Sequence, residues 1–442
     1  MQKSLEYNTP LVKRLGIGVG DALVVIIIAT SILNLMNPEK KPFIPYAPYL
    51  ILGLQLTLPL FVNISPISLI NSKSFNLFFL CLSFFVVLFI FSLVSGFWSE
   101  ELFLVLKRSL LVFVPIILVG LLVWSDPRPY QTFSRVSCWI VGLMSALSLL
   151  SLALFIFGDE GWIGEQHIQS FSFGPLVLSQ AVYGHDPFLR VSSLLGNPNA
   201  LAMWLLLSLP LTAYLLQVNK LKPIWAWLAV GIQFSTLILT FSRAGLVATF
   251  ISLVVYLFGS TLRVSQRIKR LSILFFIATG FFTYAVYGPL DIANSKRFST
   301  DTNEREQAWV LLIESIEKYP LTGVGFGVSN EVILAQSGVD FNAHNTHLQI
   351  FSEIGLFGYF ILLMIWFLAL WSGLRAIRKS RNLETRSRLS VVIAILIAIF
   401  LHQFFEASIL KPGFISIFWV YLLFLIAHPY FCKSFILNQH LG

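Results

Sequence analysis

Long apolar segments alternate along the whole chain with short charged or turn-rich connections. An α-helix needs roughly 17 to 25 predominantly apolar residues to cross a bilayer, and the segments recur at that length. They predict about twelve transmembrane helices, near residues 16–36, 46–68, 76–97, 103–124, 137–157, 199–217, 224–241, 244–260, 271–290, 346–372, 389–408 and 413–431. The predicted fold class is therefore all-α, a polytopic membrane protein.

The composition supports this class, because 57% of the residues are hydrophobic and only 12% are charged. Soluble domains carry about 25% charged residues. The apolar segments leave no room for a separate soluble domain, so we expect residues 1–442 to form a single membrane-embedded domain. Gly16–Met36 has a basic flank but no small-residue cleavage site and carries Asp21, so we interpret it as a first span rather than a signal peptide.

The positive charges predict the orientation in the membrane. With the N-terminus in the cytoplasm, most of the 30 lysine and arginine residues lie on the cytoplasmic side, including the clusters Arg263–Arg270 and Arg375–Arg388. An even number of spans then places both termini in the cytoplasm. The net charge of +9 is accounted for by this distribution, and we expect no nucleic acid partner.

Two long connections fall on the opposite face of the membrane, at residues 158–198 and 291–345. Connections of this length are usually functional or disordered. The second contains Asn303–Lys318, whose apolar residues recur at helical spacing, and we predict an amphipathic helix there. The glycine-rich turn Pro320–Gly327 then returns the chain toward His344.

Arg190, Arg243 and His344 are predicted to lie together on this outer face. Two arginines that converge on one pocket suit a phosphate or pyrophosphate, which a guanidinium group binds through two hydrogen bonds. A histidine beside them suits proton removal from an attacking hydroxyl, because imidazole titrates near neutral pH. The set indicates group transfer from a phosphate-activated donor. The glycines after Pro320 would let backbone N–H groups approach the same oxyanions.

Structural roles compete with these functional ones. Arg190 and Arg243 also fit interfacial side chains that extend to the headgroups. His347 shares the helical face of His344, but no Cys, Asp or Glu lies four residues after either one, so we predict no metal site. Asn199 is expected to cap a helix, with a sugar-facing amide as the alternative. The three cysteines have no CxxC spacing and predict neither a disulfide framework nor a thiolate metal site.

Ionisable residues inside the predicted spans stay unassigned. His402 and Glu406 are four residues apart in the span 389–408, and Glu353 lies in the span 346–372. Such groups are functional candidates by default, but they equally fit a structural pair and an acid that faces a cavity.

Several motifs occur in an order that resembles the O-antigen ligase and polymerase superfamily. The residues that carry the resemblance are Arg190 ahead of Gly196-Asn-Pro-Asn199, Ser242-Arg-Ala-Gly245, Arg305-x-x-x-Trp309, Pro320-Leu-x-Gly-x-Gly325, and the run from His344-Asn to Glu353-x-Gly355. The resemblance covers roughly residues 185–360 in its motifs and the whole chain in its layout. Ala244 and His347 depart from residues common in the family.

The resemblance implies an inverting glycosyltransferase that needs neither metal nor cofactor. The enzyme would lie in the bacterial inner membrane, with its active site on the periplasmic face. The donor would be a glycan linked to undecaprenyl pyrophosphate, and the acceptor a glycolipid, a glycan or a protein.

The resemblance also implies roles for individual residues. Arg190 and Arg243 would hold the pyrophosphate, and Arg305 would be a third contact to phosphate or glycan. His344 would activate the acceptor hydroxyl. Asn345, His347 and Asn199 would support the site.

Three alternatives stay open from the sequence. A polymerase of the same superfamily would use a second lipid-linked glycan as its acceptor. A secondary transporter would use Asp21, His402, Glu406 and Glu353 as an intramembrane relay. A non-catalytic membrane scaffold would leave the outward arginines unexplained.

Overall fold

The computed structural model describes residues 18–35, 73–163, 166–173, 176–183, 189–260, 296–336 and 343–432. Within these ranges seven helices are long and apolar enough to cross a membrane, and three shorter apolar helices coincide with three further predicted spans. The chain is therefore a helical membrane protein. The predicted spans 46–68 and 271–290, and the basic cluster Arg263–Arg270, lie outside the described residues.

The helices begin where the sequence supplies a suitable first residue. Proline occupies the first position of three long helices, and asparagine side chains cap three helices. In chain order the helices are α1 (Val19–Leu35), α2 (Lys73–Val94), α3 (Leu102–Ser125), α4 (Pro129–Phe157), α5 (Pro198–Gln217), α6 (Pro223–Leu239), α7 (Arg243–Ser260), α8 (Lys296–Lys318), α9 (Thr346–Lys379), α10 (Leu383–His402) and α11 (Phe414–Ala427), with a last short helix at Pro429–Cys432. A π-helix covers Asn330–Ala335.

The all-α prediction is wrong for the connection between α4 and α5, which contains a four-stranded antiparallel sheet. The strands are β1 (Asp159–Ile163), β2 (Gln166–Phe173), β3 (Leu176–Tyr183) and β4 (Arg190–Val191), and they pair in sequence order. Strand β2 buries Gln169 and exposes Phe171, so its apolar residues do not mark a buried face. The sequence signal for the sheet is the turn residues between the strands, Gly164 and Gly174-Pro175.

A buried hydrogen-bond network fixes the sheet to the end of α4. The amide of Gln180 donates to Gln169 Oε1 at 3.1 Å and to the Ser151 carbonyl at 3.0 Å, and its Oε1 accepts from Ser151 Oγ at 2.7 Å. All three side chains are buried. Since buried polar groups that lose a partner cost about 1–3 kcal/mol, this network holds the sheet, and Arg190 in β4, in one position.

Helices α5, α10 and α11 form the centre of the bundle and are buried on nearly every side. Helices α7 and α10 pack against each other along their lengths. The last turn of α7 lies beside the first turn of α10, where Arg386 Nε donates to the Gly259 carbonyl at 2.6 Å. The other two ends, at Arg243 and His402, therefore lie together. We call this end of the bundle, which also carries the sheet, the site end.

The opposite end of the bundle carries basic residues. Arg135 at the start of α4 pairs with Asp21 at the start of α1, and Arg386 lies at the start of α10. This distribution agrees with the one expected for a cytoplasmic face. The direction of the bundle in the membrane stays a prediction.

Candidate active site

The histidine singled out from the sequence lies at the site end and contacts a glutamate distant in the chain. His344 comes just before α9, whose first turn is capped by Asn345, since Asn345 Oδ1 accepts from Leu348 N at 3.1 Å. The Nδ1 atom of His344 lies 2.9 Å from Oε1 of Glu406, and both side chains are less than one fifth exposed. His344 has φ of +46°, a strained backbone for a residue other than glycine.

Glu406 is not part of a transmembrane helix, contrary to the prediction of a span at 389–408. Helix α10 ends at His402, and the chain turns back so that Glu406 reaches His344. The interpretation that His402 and Glu406 lie four residues apart on one helix is therefore wrong, and their roles stayed unassigned from the sequence. The sequence contained one signal for this, an acidic residue near the end of an apolar segment, but nothing in it pointed to His344 as the partner.

Gln403 and Thr346 hold the Glu406 loop in place. The Thr346 hydroxyl donates to Gln403 Oε1 at 2.7 Å, and the Thr346 N–H donates to the Gln403 carbonyl at 2.9 Å. The same Oε1 accepts from the N–H groups of Ser408 at 3.0 Å and Ile409 at 3.1 Å. Because Gln403 is fully buried, these bonds fix the loop, and Glu406 with it, against the start of α9.

The charge state of Glu406 defines what the pair can do. Burial raises the pKa of Glu406, but the hydrogen bond from His344, the positive charge of His344 and His402 when these rings are protonated, and the N–H of Ala407 together lower the pKa to about 2. An ionised carboxylate can only accept hydrogen bonds, so His344 must donate through Nδ1–H. A neutral imidazole then carries its lone pair on Nε2. This is the tautomer needed for a proton acceptor.

Arg190 is held against the turn that carries Arg243. Its Nε donates to the Thr240 carbonyl at 2.8 Å, and its Nη2 donates to Asn199 Oδ1 at 2.9 Å. Thr240 immediately follows α6 and lies three residues before Arg243. The prediction that Asn199 caps α5 is wrong, because Asn197 is the cap and accepts from Asn199 N at 2.8 Å. Asn199 instead orients Arg190.

Arg243 is exposed and is the first residue of α7. The N-terminus of a helix carries partial positive charge, so a cation there is unfavourable unless an anion lies nearby. Together with Arg190, it makes this turn a region that favours anions. The glycine in the same motif has a packing role, since a Cβ on Gly245 would lie 2.6 Å from the Cβ of Ala202 in α5.

Helix α8 begins at Lys296, ahead of the predicted start at Asn303, and packs one face on the bundle. Ala308 and Leu312 on that face are fully buried, whereas Val310 and Ile313 are exposed.

Helix α8 is tied to the histidine segment. Trp309 Nε1 donates to the Ala343 carbonyl at 2.7 Å, directly before His344. Arg305 lies one helical turn earlier on the same face, and its buried Nε has no hydrogen-bond partner within the described part of the chain. The Arg-x-x-x-Trp spacing thus brings Arg305 toward the histidine end of the site.

The glycine-rich turn has a different role from the one predicted. Its N–H groups bond inside the protein and are not directed at a ligand: Gly323 donates to Tyr319 O, Val324 to Ser352 O, Gly325 to Glu353 O and Phe326 to Ser95 Oγ. Helix α9 is kinked at Gly355, where φ is +63° and a Cβ would lie 2.2 Å from the Leu321 carbonyl. The Glu-x-Gly and Gly-x-Gly motifs therefore hold the glycine-rich turn against the kinked part of α9.

Glu353 and His347 are occupied by local partners. Glu353 is buried, and its Oε1 accepts from Ser329 Oγ at 2.7 Å and from Gln349 Nε2 at 2.8 Å. His347 is also buried, with Nδ1 3.1 Å from the Tyr359 hydroxyl and Nε2 3.3 Å from a backbone carbonyl. Both side chains stabilise the start of α9. Among the described residues, no three His, Cys, Asp or Glu side chains are arranged to hold a metal.

The fold and the site define a multi-helix membrane protein with a histidine–glutamate pair and an arginine-bearing turn at one end. The family model for O-antigen ligase matches residues 228–363. This stretch includes Arg243, Arg305 and His344 but not Arg190. The resemblance to the O-antigen ligase and polymerase superfamily is thereby confirmed. A search of curated proteins found no match.

Proposed function

We propose that this protein is a glycosyltransferase of the O-antigen ligase type. It would move a glycan from undecaprenyl pyrophosphate to an acceptor hydroxyl on the periplasmic face of the bacterial inner membrane, with inversion at the anomeric carbon. The observation that carries the proposal is the contact between His344 and the ionised Glu406, which gives His344 the tautomer of a general base.

The proposed reaction is a single displacement. The acceptor hydroxyl gives its proton to His344 Nε2, and its oxygen forms a bond to the anomeric carbon. The bond between that carbon and the phosphate oxygen breaks, and its electron pair leaves with undecaprenyl pyrophosphate. Attack opposite to the leaving group inverts the anomeric centre. Glu406 stabilises the imidazolium that forms, since it keeps its negative charge.

The leaving pyrophosphate needs positive charge at the point where the bond breaks. Arg190 and Arg243 supply it from the β4 strand and from the first residue of α7, and the helix dipole adds to their effect. Arg305 is proposed as a third contact to phosphate or glycan, because it lies on the α8 face that meets the residue before His344.

The charge distribution supports the proposed orientation. Arg135 and Arg386 lie at the end of the bundle opposite to the site. If that end is cytoplasmic, the site end is periplasmic. Both chain termini are then expected in the cytoplasm.

The positions of the intramembrane acids do not support a transporter relay. Asp21 is half-exposed at one end of the bundle, whereas Glu406 lies in a loop at the other. A relay requires such residues near the middle of the membrane.

The test is a reaction with purified protein and a glycan on undecaprenyl pyrophosphate, run with and without a chelator. Two acceptors are compared, a glycolipid core and a second molecule of the lipid-linked glycan. Transfer to the core indicates a ligase, and growth of the lipid-linked chain indicates a polymerase. No transfer to either acceptor, or transfer abolished by the chelator, would contradict the proposed mechanism.

A further inference from the structure

Behind Glu406 lies a second histidine that the proposed reaction does not use. His402 is the last residue of α10 and is 1% exposed. Neither of its ring nitrogens has a hydrogen-bond partner within the described residues, and Oε2 of Glu406 is also buried without one. Each such group destabilises the folded protein when it stays unsatisfied. One ring N–H of His402 and the Oε2 atom of Glu406 are therefore expected to satisfy each other.

The backbone places His402 and Glu406 in the same tight turn. The chain makes a tight turn after α10, in which Phe405 N donates to the His402 carbonyl at 2.9 Å. His402, when protonated, contributes to the lowered pKa of the Glu406 carboxyl, so the two groups lie within electrostatic range of each other. The other carboxylate oxygen, Oε1, already accepts from His344 Nδ1 and from the N–H of Ala407 at 3.3 Å. Only Oε2 remains for a third donor.

We propose that His402 is a positioning residue that donates a ring N–H to Glu406 Oε2, directly or through one buried water. The chain of bonds then runs from His402 through Glu406 to His344. It holds the carboxylate in the orientation that fixes the His344 tautomer. His402 itself takes no proton from the substrate. This inference rests on the proposed function for its catalytic consequence, but the contact between His402 and Glu406 can be tested without any activity.

A double-mutant cycle in thermal unfolding tests the contact. The purified protein in detergent is compared with His402→Leu, Glu406→Gln and the double variant at neutral pH. If the two residues share a hydrogen bond, the decrease in unfolding temperature of the double variant is smaller than the sum of the decreases of the two single variants. Additive losses would overturn the proposal.

A matched control cycle replaces His402→Leu by His428→Leu. His428 is also a buried histidine, but it lies at the opposite end of the bundle, where its Nε2 is 3.3 Å from the Trp124 carbonyl. The decreases in unfolding temperature caused by His428→Leu and Glu406→Gln should therefore be additive. Additivity here together with coupling at His402 supports the contact, and equal coupling in both cycles would overturn it.

The catalytic consequence is tested by kinetics. His402→Leu should lower kcat about 10-fold or more and leave KM for donor and acceptor unchanged, because the residue does not touch the substrate. His402→Gln, which keeps an N–H donor, should recover much of the loss. A rise in KM with constant kcat, or no recovery, would overturn the positioning role. If the unmodified protein transfers no glycan, the proposed function fails, and the unfolding cycle alone decides the contact.

Discussion

The imidazole of His344 and the carboxylate of Glu406 meet at 2.9 Å although 62 positions separate them in the chain. The contact joins the start of α9 to the turn after α10. It converts two residues that look unrelated in the sequence into one unit, in which the glutamate fixes the charge and orientation of the histidine. The following predictions test this unit and the elements that hold it.

Replacing Glu406 by Gln should lower the rate of glycan transfer by about 10- to 100-fold, the loss expected for a hydrogen bond to a charged group. The amide keeps the shape of the side chain but no longer stabilises a protonated imidazole. Glu317→Gln on the exposed face of α8 is the matched control and should keep full activity. Single-turnover rates of purified protein measure the effect. An unchanged rate in Glu406→Gln would remove Glu406 from the mechanism.

Glu406 should make stability depend on acid pH. Its pKa is lowered to about 2 in the folded protein from an ordinary value of 4.5. The folded state therefore gains stability from this group above pH 4.5 and loses it as the pH falls toward about 2. Unfolding temperatures of the unmodified protein and Glu406→Gln are compared over this range. Their difference should shrink as the pH falls through it, and a constant difference would contradict the lowered pKa.

Arg243→Ala should lower kcat/KM for the lipid-linked glycan by about 10- to 100-fold, because it removes a charged group proposed to form a hydrogen bond with the phosphate. Arg243→Lys keeps the charge but not the planar fork, and it should recover only part of the activity. Arg381→Ala in the exposed connection between α9 and α10 is the control, with no loss expected. Equal kcat/KM in Arg243→Ala and the control would show that Arg243 does not bind the donor.

Gly355→Ala should destabilise the protein strongly. The residue has φ of +63°, and the added Cβ would lie 2.2 Å from the Leu321 carbonyl. The backbone strain alone costs of order 1–3 kcal/mol. Gly231→Ala is the control, since a Cβ there meets nothing within 4 Å, and alanine is favoured over glycine in a helix. Unfolding temperature in detergent should fall for the first variant and stay constant or rise for the second.

Within the described residues the sequence predicts the membrane helices well, because membrane spans are marked by length and apolarity alone. Apolarity does not define where a helix ends. The predicted span 389–408 runs through the turn after His402, so the sequence does not reveal that Glu406 lies in a loop. The hydrophobic pattern of the sequence does not mark the sheet before Arg190, because Ile168 of β2 lies on the opposite strand face from Phe171 and Phe173, so the strand has no single alternating pattern. Asn199 and the glycine-rich turn were assigned by local rules, whereas distant partners decide their contacts.

The motifs mark structurally important positions, although several of these positions have other roles than the predicted ones. Gly323 and Gly355 mark a place where two backbones are in contact, and a sequence alone shows only that small residues are required there. Partners such as Glu406 for His344 depend on the packing of α9 against α10, which no local pattern encodes.

The most direct test of the central claim is glycan transfer by purified His344→Ala protein reconstituted in lipid, with binding of the lipid-linked donor measured in parallel. General base catalysis contributes about 100- to 10,000-fold. We predict a loss of transfer of at least about 100-fold with donor binding retained. Transfer at the rate of the unmodified protein would contradict the assignment of His344 as the base that activates the acceptor.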